Sequence, residues 1–149
     1  MFNHILCPTD LKKRALLALK KALQIAHQFD SKITLLNVHD ELMNKKEREM
    51  LRVSFDKLKD KYRDIAVSSK AEMKATIVQL HAEDIEVEYL LREGKPEKAI
   101  IDVAEKLEVD LIVICTDGHP HHLRDVFTGT ITEHVVNNAV CPVLVVPFK

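Results

Sequence analysis

Two strand ends in this 149-residue chain carry residues able to do chemistry. Asp10 follows the apolar run His4-Ile-Leu-Cys-Pro8 by way of Thr9, so a carboxylate stands where a strand pattern gives way to a helical one. Such an aspartate has two competing roles: it accepts the free N–H groups that open a helix, or it faces a ligand beyond the strand. The second end is Leu111-Ile-Val-Ile-Cys115, followed by Thr116-Asp-Gly118 and then by Gly129-Thr130, which reads as the opening of an amphipathic segment reaching Asn138. The loop leaving a strand that is apolar on both faces is where open α/β folds place ligands, so function is expected between Thr116 and Thr130. Within that loop His119, His121 and His122 gather three imidazoles. Their spacing matches no standard zinc pattern and no Cys or carboxylate stands at a suitable interval, so a solvated loop is expected in place of a metal centre. Cys115 raises thiol redox chemistry, but an apolar strand with no adjacent base favours packing.

These residues need a scaffold, and the alternation of periods supplies one. His4 to Pro8 is a first strand. Ala15, Ala18, Leu19, Ala22, Ile25, Ala26 and Phe29 then recur at helical spacing, closed by Asp30-Ser31. Ile33 to Val38 is a second strand. From Glu41 to about His81 charge is dense, with Leu51, Phe55, Leu58, Tyr62 and Ile65 along one side, which predicts a long, partly exposed helix. Ile85 to Leu91 alternates like a half-exposed strand near a sheet edge. Gly94-Lys-Pro96 sets a proline at a helix start, and Ile100, Ile101, Ala104 and Leu107 form the inner face of that helix. Strand Leu111 to Cys115, a helix from Gly129 to Asn138 and strand Pro142 to Val146 complete a βαβαβαβαβ order. Regular alternation of this kind predicts a single α/β domain over residues 1–149, a parallel sheet with helices on both faces in a Rossmann-like three-layer sandwich.

Composition narrows the setting. Apolar residues make up 46% and charged residues 30% of the chain, and the formal net charge is −1, so no field draws it to nucleic acid or to an anionic membrane. Cys7, Cys115 and Cys141 are odd in number and far apart, which points to a reducing cytoplasm and away from a disulfide framework. The start of the chain has no basic region with an apolar core, and no apolar run approaches the roughly 18 residues of a membrane helix, so neither export by such a signal nor a membrane span is expected.

Taken together, Pro8-Thr9-Asp10, Leu36-Asn-Val-His39, Glu93-Gly94-Lys-Pro96, and Gly129-Thr130 followed by Cys141-Pro-Val-Leu-Val-Val146 resemble the universal stress protein family. The resemblance covers nearly the whole chain and weakens only from Glu41 to Glu83. It implies a sheet in the order 3-2-1-4-5, a homodimer formed through the last strand (Val143 to Val146), a role in stress response and, in many members, bound ATP.

With that order a crevice opens beyond the carboxyl ends of strands one and four. The resemblance then implies an adenine nucleotide, ATP or AMP, held by Pro8, Thr9, Asp10, Val38, Cys115, Thr116, Gly118, Gly129, Thr130 and Ile131. Asp10 would accept ribose hydroxyls, and backbone near Val38 would meet the adenine edge. Gly129 and Thr130 would offer a helix start to phosphate, where free N–H groups and the helix dipole favour an anion. Pro8 and Val38 are equally readable as strand-end residues, and Gly129-Thr130 as a turn and cap. No metal is expected beyond Mg accompanying a nucleotide.

The chain departs from the nucleotide-binding pattern of that family, a G-x-x-G pair, nine residues, then Gly with Ser or Thr. In Cys115-Thr-Asp-Gly118 the first glycine is Cys115, and ten residues precede Gly129; aligned by nine-residue spacing, Thr116 and His119 replace both glycines. A Cβ obstructs positive φ and close approach to phosphate oxygens, so the phosphate loop is degenerate. Phosphorelay chemistry lacks its acidic pair, since Thr9 and Leu11 flank Asp10, and Arg92-Glu93 stand where a phospho-accepting aspartate would follow strand three. Hydrolase chemistry lacks a G-x-S-x-G elbow. The expected protein is therefore a universal stress-type, nucleotide-binding signalling module more than an enzyme. Its alternatives are a nucleotide-independent dimeric interaction module and a slow ATP hydrolase.

Overall fold

The structure, a computed structural model, describes residues 1–39, 55–116 and 126–148, with backbone alone at 55–58 and 126–130. Nine elements follow in order: β1 (His4–Thr9), α1 (Lys13–Phe29), β2 (Lys32–His39), α2 (Phe55–Gln79), β3 (Val87–Glu93), α3 (Pro96–Lys106), β4 (Leu111–Cys115), α4 (Val126–Asn138) and β5 (Val143–Val146). The strands form one parallel sheet in the order β3-β2-β1-β4-β5. This is the α/β architecture and strand order expected above.

The inner strands β1 and β4 are largely apolar on both faces because each face meets helices. Ile5, Cys7, Ile33, Leu35, Leu111 and Val113 pack with Ala18, Leu19 and Ala22 of α1 and Met73 and Ile77 of α2. Leu6, Leu36, Ile112 and Ile114 pack on the other face with Ile100, Val103 and Ala104 of α3 and Val135 of α4. Leu6, Leu36 and Ile112 are fully buried, each contributing about 1.5–3 kcal/mol by burial. α1 thus leaves β1 on one face and α4 leaves β4 on the other, which parts the chain beyond these neighbouring strands.

Three boundaries differ from expectation, and a fourth falls outside the described residues. α2 is described from Phe55, and residues 41–54 of the long helix read from the sequence lie outside the described residues. β3 runs from Val87 to Glu93, two residues later than the alternation suggested. Ile85 is taken up in the turn after α2, donating to the Ala82 carbonyl at 3.2 Å, while β2 offers pairing as far as His39 opposite Glu93. α1 opens at Lys13, and Asp10 does not cap it directly: the N-cap is Lys12, without a side-chain cap. α4 begins at Val126, three residues before Gly129, so Gly129 and Thr130 lie within its opening turns and do not start it.

Candidate functional site

The β1–α1 connection is a tight turn built from side chains of its own. Thr9 Oγ1 accepts the Leu11 N–H at 3.0 Å and Asp10 Oδ1 accepts the Lys12 N–H at 2.9 Å. Leu11 is held at φ +65°, a conformation a leucine rarely adopts, and the two bonds from Thr9 and Asp10 fix it there. Asp10 Oδ2 meets Arg14 Nε at 3.2 Å, one helical turn further on.

This turn forms one rim of a cleft of about 160 Å³ beyond the ends of β1 and β4. Pro8, Thr9 and Asp10 enter it from β1 and the turn, and Val38 from the end of β2. Cys115 enters from the end of β4 and Ile131 from α4. Six of the residues expected from the sequence therefore converge on one cleft. Thr116 does not line it; its N–H donates to the Val146 carbonyl at 3.1 Å and extends the β4–β5 ladder. Gly118 and the histidines His119, His121 and His122 lie outside the described residues. Among the described residues no three His, Cys, Asp or Glu side chains converge to hold a metal.

Gly129 and Thr130 require a correction. In a helix beginning at Val126 the free donors are the N–H groups of about the first three helical residues and the N-cap, so the Gly129 amide falls just past them. The expectation that Gly129 and Thr130 offer the free helix start to phosphate therefore does not hold; that start lies at 126–128.

Sequence reading missed other cleft residues. Leu36 and Ile114 are strand residues that form its floor, and Pro96 and Ile100 form a wall one turn apart on α3. Arg14 and Thr132 add polar groups. The signal for Arg14 was its spacing from Asp10, four residues along a helical pattern.

The thiols differ in setting. Cys7 is fully buried in the core against α1 and α2, and burial, with Cys115 as a lesser cause, pushes it up to about 12, which makes it inert at neutral pH. Cys115 is half-buried, with its Sγ 3.2 Å from the Thr116 carbonyl. Burial, then the charge of Asp110, raises Cys141.

An open parallel sheet whose cleft lies where neighbouring connections leave to opposite faces defines a doubly wound α/β protein with a cleft at its topological switch point. The chain belongs to the universal stress protein family, whose model matches residues 1–147. It is 30% identical over 148 residues to a universal stress protein of Methanocaldococcus jannaschii, MJ0531, covering 98% of this chain and 82% of that one. The solved structure of the hypothetical protein MJ0577, which bears the name of a second universal stress protein of that organism, matches with a TM-score of 0.76 at 26% identity, covering 100% and 98% of the two chains. A universal stress protein solved in complex with cAMP shares the fold, with a TM-score of 0.66 at 20% identity over 97% of each chain.

Proposed function

We propose that this protein binds an adenine nucleotide, ATP or AMP, in the cleft beyond β1 and β4 and acts by presenting a nucleotide-dependent surface to a partner. The observation that carries this reading is an aliphatic slot that, among the described residues, has a single carboxylate, Asp10, at its rim. Leu36, Val38, Ile100 and Ile131 suit the faces of a purine, and the backbone at Val38 suits its polar edge. Asp10 keeps lone pairs for ribose hydroxyls, because each of its oxygens accepts one bond from Lys12 or Arg14. The phosphates, with any accompanying Mg, then extend toward the opening turn of α4, which begins at Val126. That a family relative is solved with cAMP supports an adenine ligand.

Binding is favoured over turnover because Asp10 is the only carboxylate among the described cleft residues and is already engaged by a cation, which leaves no free general base among those residues. The reading extends to a cytoplasmic setting and to a homodimer through β5. Thermal unfolding with and without nucleotide tests it: a ligand at about a hundred times its Kd adds about 2.7 kcal/mol. No shift with millimolar ATP, ADP or AMP overturns the assignment in favour of a nucleotide-independent interaction module. Phosphate release abolished by replacing Asp10 or Thr130 would move it to the hydrolases.

A further inference from the structure

A second hollow, of about 190 Å³, lies on the face of the sheet that carries α1 and α2. Leu19, Leu35 and Met73, all buried, form its floor, and the half-buried Leu11 and Leu16 line it above them. The opening of α1 sets the exposed Lys12 and Lys13 at its rim, and α2 contributes Thr76 and Gln79. The sheet separates this hollow from the cleft: Leu35 lines the one and Leu36 the other, and Thr9 is the one described residue common to both.

Its charge is one-sided. Among the described residues that line it there are two cations and no carboxylate, and neither lysine side chain makes a hydrogen bond or ion pair with a described residue. The helix start adds to this, because α1 has no acid in its first turn and no side-chain cap, so the positive end of its dipole stands beside cations without a counter-charge. An apolar floor beneath such a rim suits a ligand with an aliphatic body and one anionic head. The volume bounds that body: about 190 Å³ exceeds the roughly 150 Å³ of an apolar cavity that takes up benzene and falls below the roughly 300–1,000 Å³ of sites that enclose a drug-sized molecule. A long lipid chain is excluded. We propose that this hollow binds a short-chain fatty carboxylate, with its chain over Leu19, Leu35 and Met73 and its head group at Lys12 and Lys13.

Isothermal titration of the full chain with sodium octanoate, 1-octanol and acetate at low salt tests the inference. Octanoate is expected to bind one to a chain, octanol about fivefold more weakly, the scale of one exposed ion pair, and acetate not measurably, since it lacks the aliphatic body. Replacing both lysines, Lys12→Gln with Lys13→Gln, lowers octanoate affinity to that of octanol and leaves octanol unchanged. Thr76→Phe fills the hollow from α2 and Leu16→Phe from α1, and each abolishes binding of both compounds while circular dichroism reports a folded chain. Absence of octanoate binding, equal affinity for octanoate and octanol, or unchanged octanoate affinity in the double lysine variant overturns the inference. So does octanoate binding retained in whichever phenylalanine variant folds, which would put the ligand elsewhere on the molecule. None of these outcomes bears on the nucleotide reading of the cleft, which lies on the other face.

Discussion

Asn37 holds Thr9 from behind: its side-chain amide, 4% exposed, donates to the Thr9 carbonyl at 2.9 Å. The other end of the same amide accepts the Ser69 hydroxyl at 3.0 Å. β2 thereby ties the last residue of β1, which forms the rim of the cleft, to α2 on the far side of the sheet. Both residues of the Asn37–Ser69 link are buried, so water cannot substitute for that bond.

Asn37→Ala leaves the Thr9 carbonyl and the Ser69 hydroxyl without partners and is expected to cost about 1–3 kcal/mol in urea unfolding. The chain has no tryptophan, so circular dichroism is the suitable probe. Ser69→Ala in the Asn37→Ala background is expected to cost less than Ser69→Ala alone, since the partner is already gone. Additive losses across that double-mutant cycle would show that the two residues act separately.

His4 predicts a pH dependence. Its ring meets Thr34 Oγ1 at 2.6 Å, and burial, reinforced by the positive charge of Lys32, lowers its pKa from 6.5, against smaller opposing effects of Glu88 and Asp110 and a backbone bond at Leu107. The native state therefore takes up its proton at lower pH than the unfolded chain. Stability from this group is full above the unfolded value of 6.5 and is lost as pH falls below it toward the lower folded value. Urea midpoints of the native chain and of His4→Gln, compared across that window, should diverge in slope, the variant lacking this part of the acid-side loss. Parallel curves would remove His4 as the cause.

The β5 edge predicts association. Ile112 N–H donates to the Pro142 carbonyl and Thr116 N–H to the Val146 carbonyl, so in a parallel ladder the even-numbered residues of β5 serve β4, and Val143 and Val145 turn their backbone groups to the open side. We expect a homodimer at micromolar concentration by light scattering. Val145→Pro deletes an outward N–H without removing a bond to β4, and is expected to give a folded monomer. A native chain that scatters as a monomer refutes this pairing.

The sheet was legible in the sequence where apolar runs were continuous. Leu111 to Cys115 coincides with β4, and the ends of β1, β2 and β5 fall within one residue of those expected, because each strand is a run dominated by apolar residues between polar or turn residues. β3 was displaced because alternation fixes a face but not an end; the end was set by β2, a partner distant in sequence. The start of α4 was misread because Gly129-Thr130 carries turn chemistry, while Val126-Phe127-Thr128 gives no polar stop signal before it. In the cleft, Asp10 and its strand-end neighbours were readable from their place in the fold. Arg14 was not, because a lysine- and arginine-rich helix opening reads as a solvated surface until its contact with Asp10 is seen.

The two margins of the sheet are unlike. β3 carries Glu88, Arg92 and Glu93, with Glu88 already bound to Lys32 at 3.0 Å, whereas β5 is Val-Leu-Val-Val with no charge and Leu144 36% exposed. Charged side chains along a margin discourage a further strand from docking, and an uncharged margin invites one. Each molecule therefore offers one adhesive rim and one guarded rim. Growth by strand addition would end once two such rims had met, so in the homodimer expected above the bare strand that pairs two copies would also keep them from propagating into a fibre.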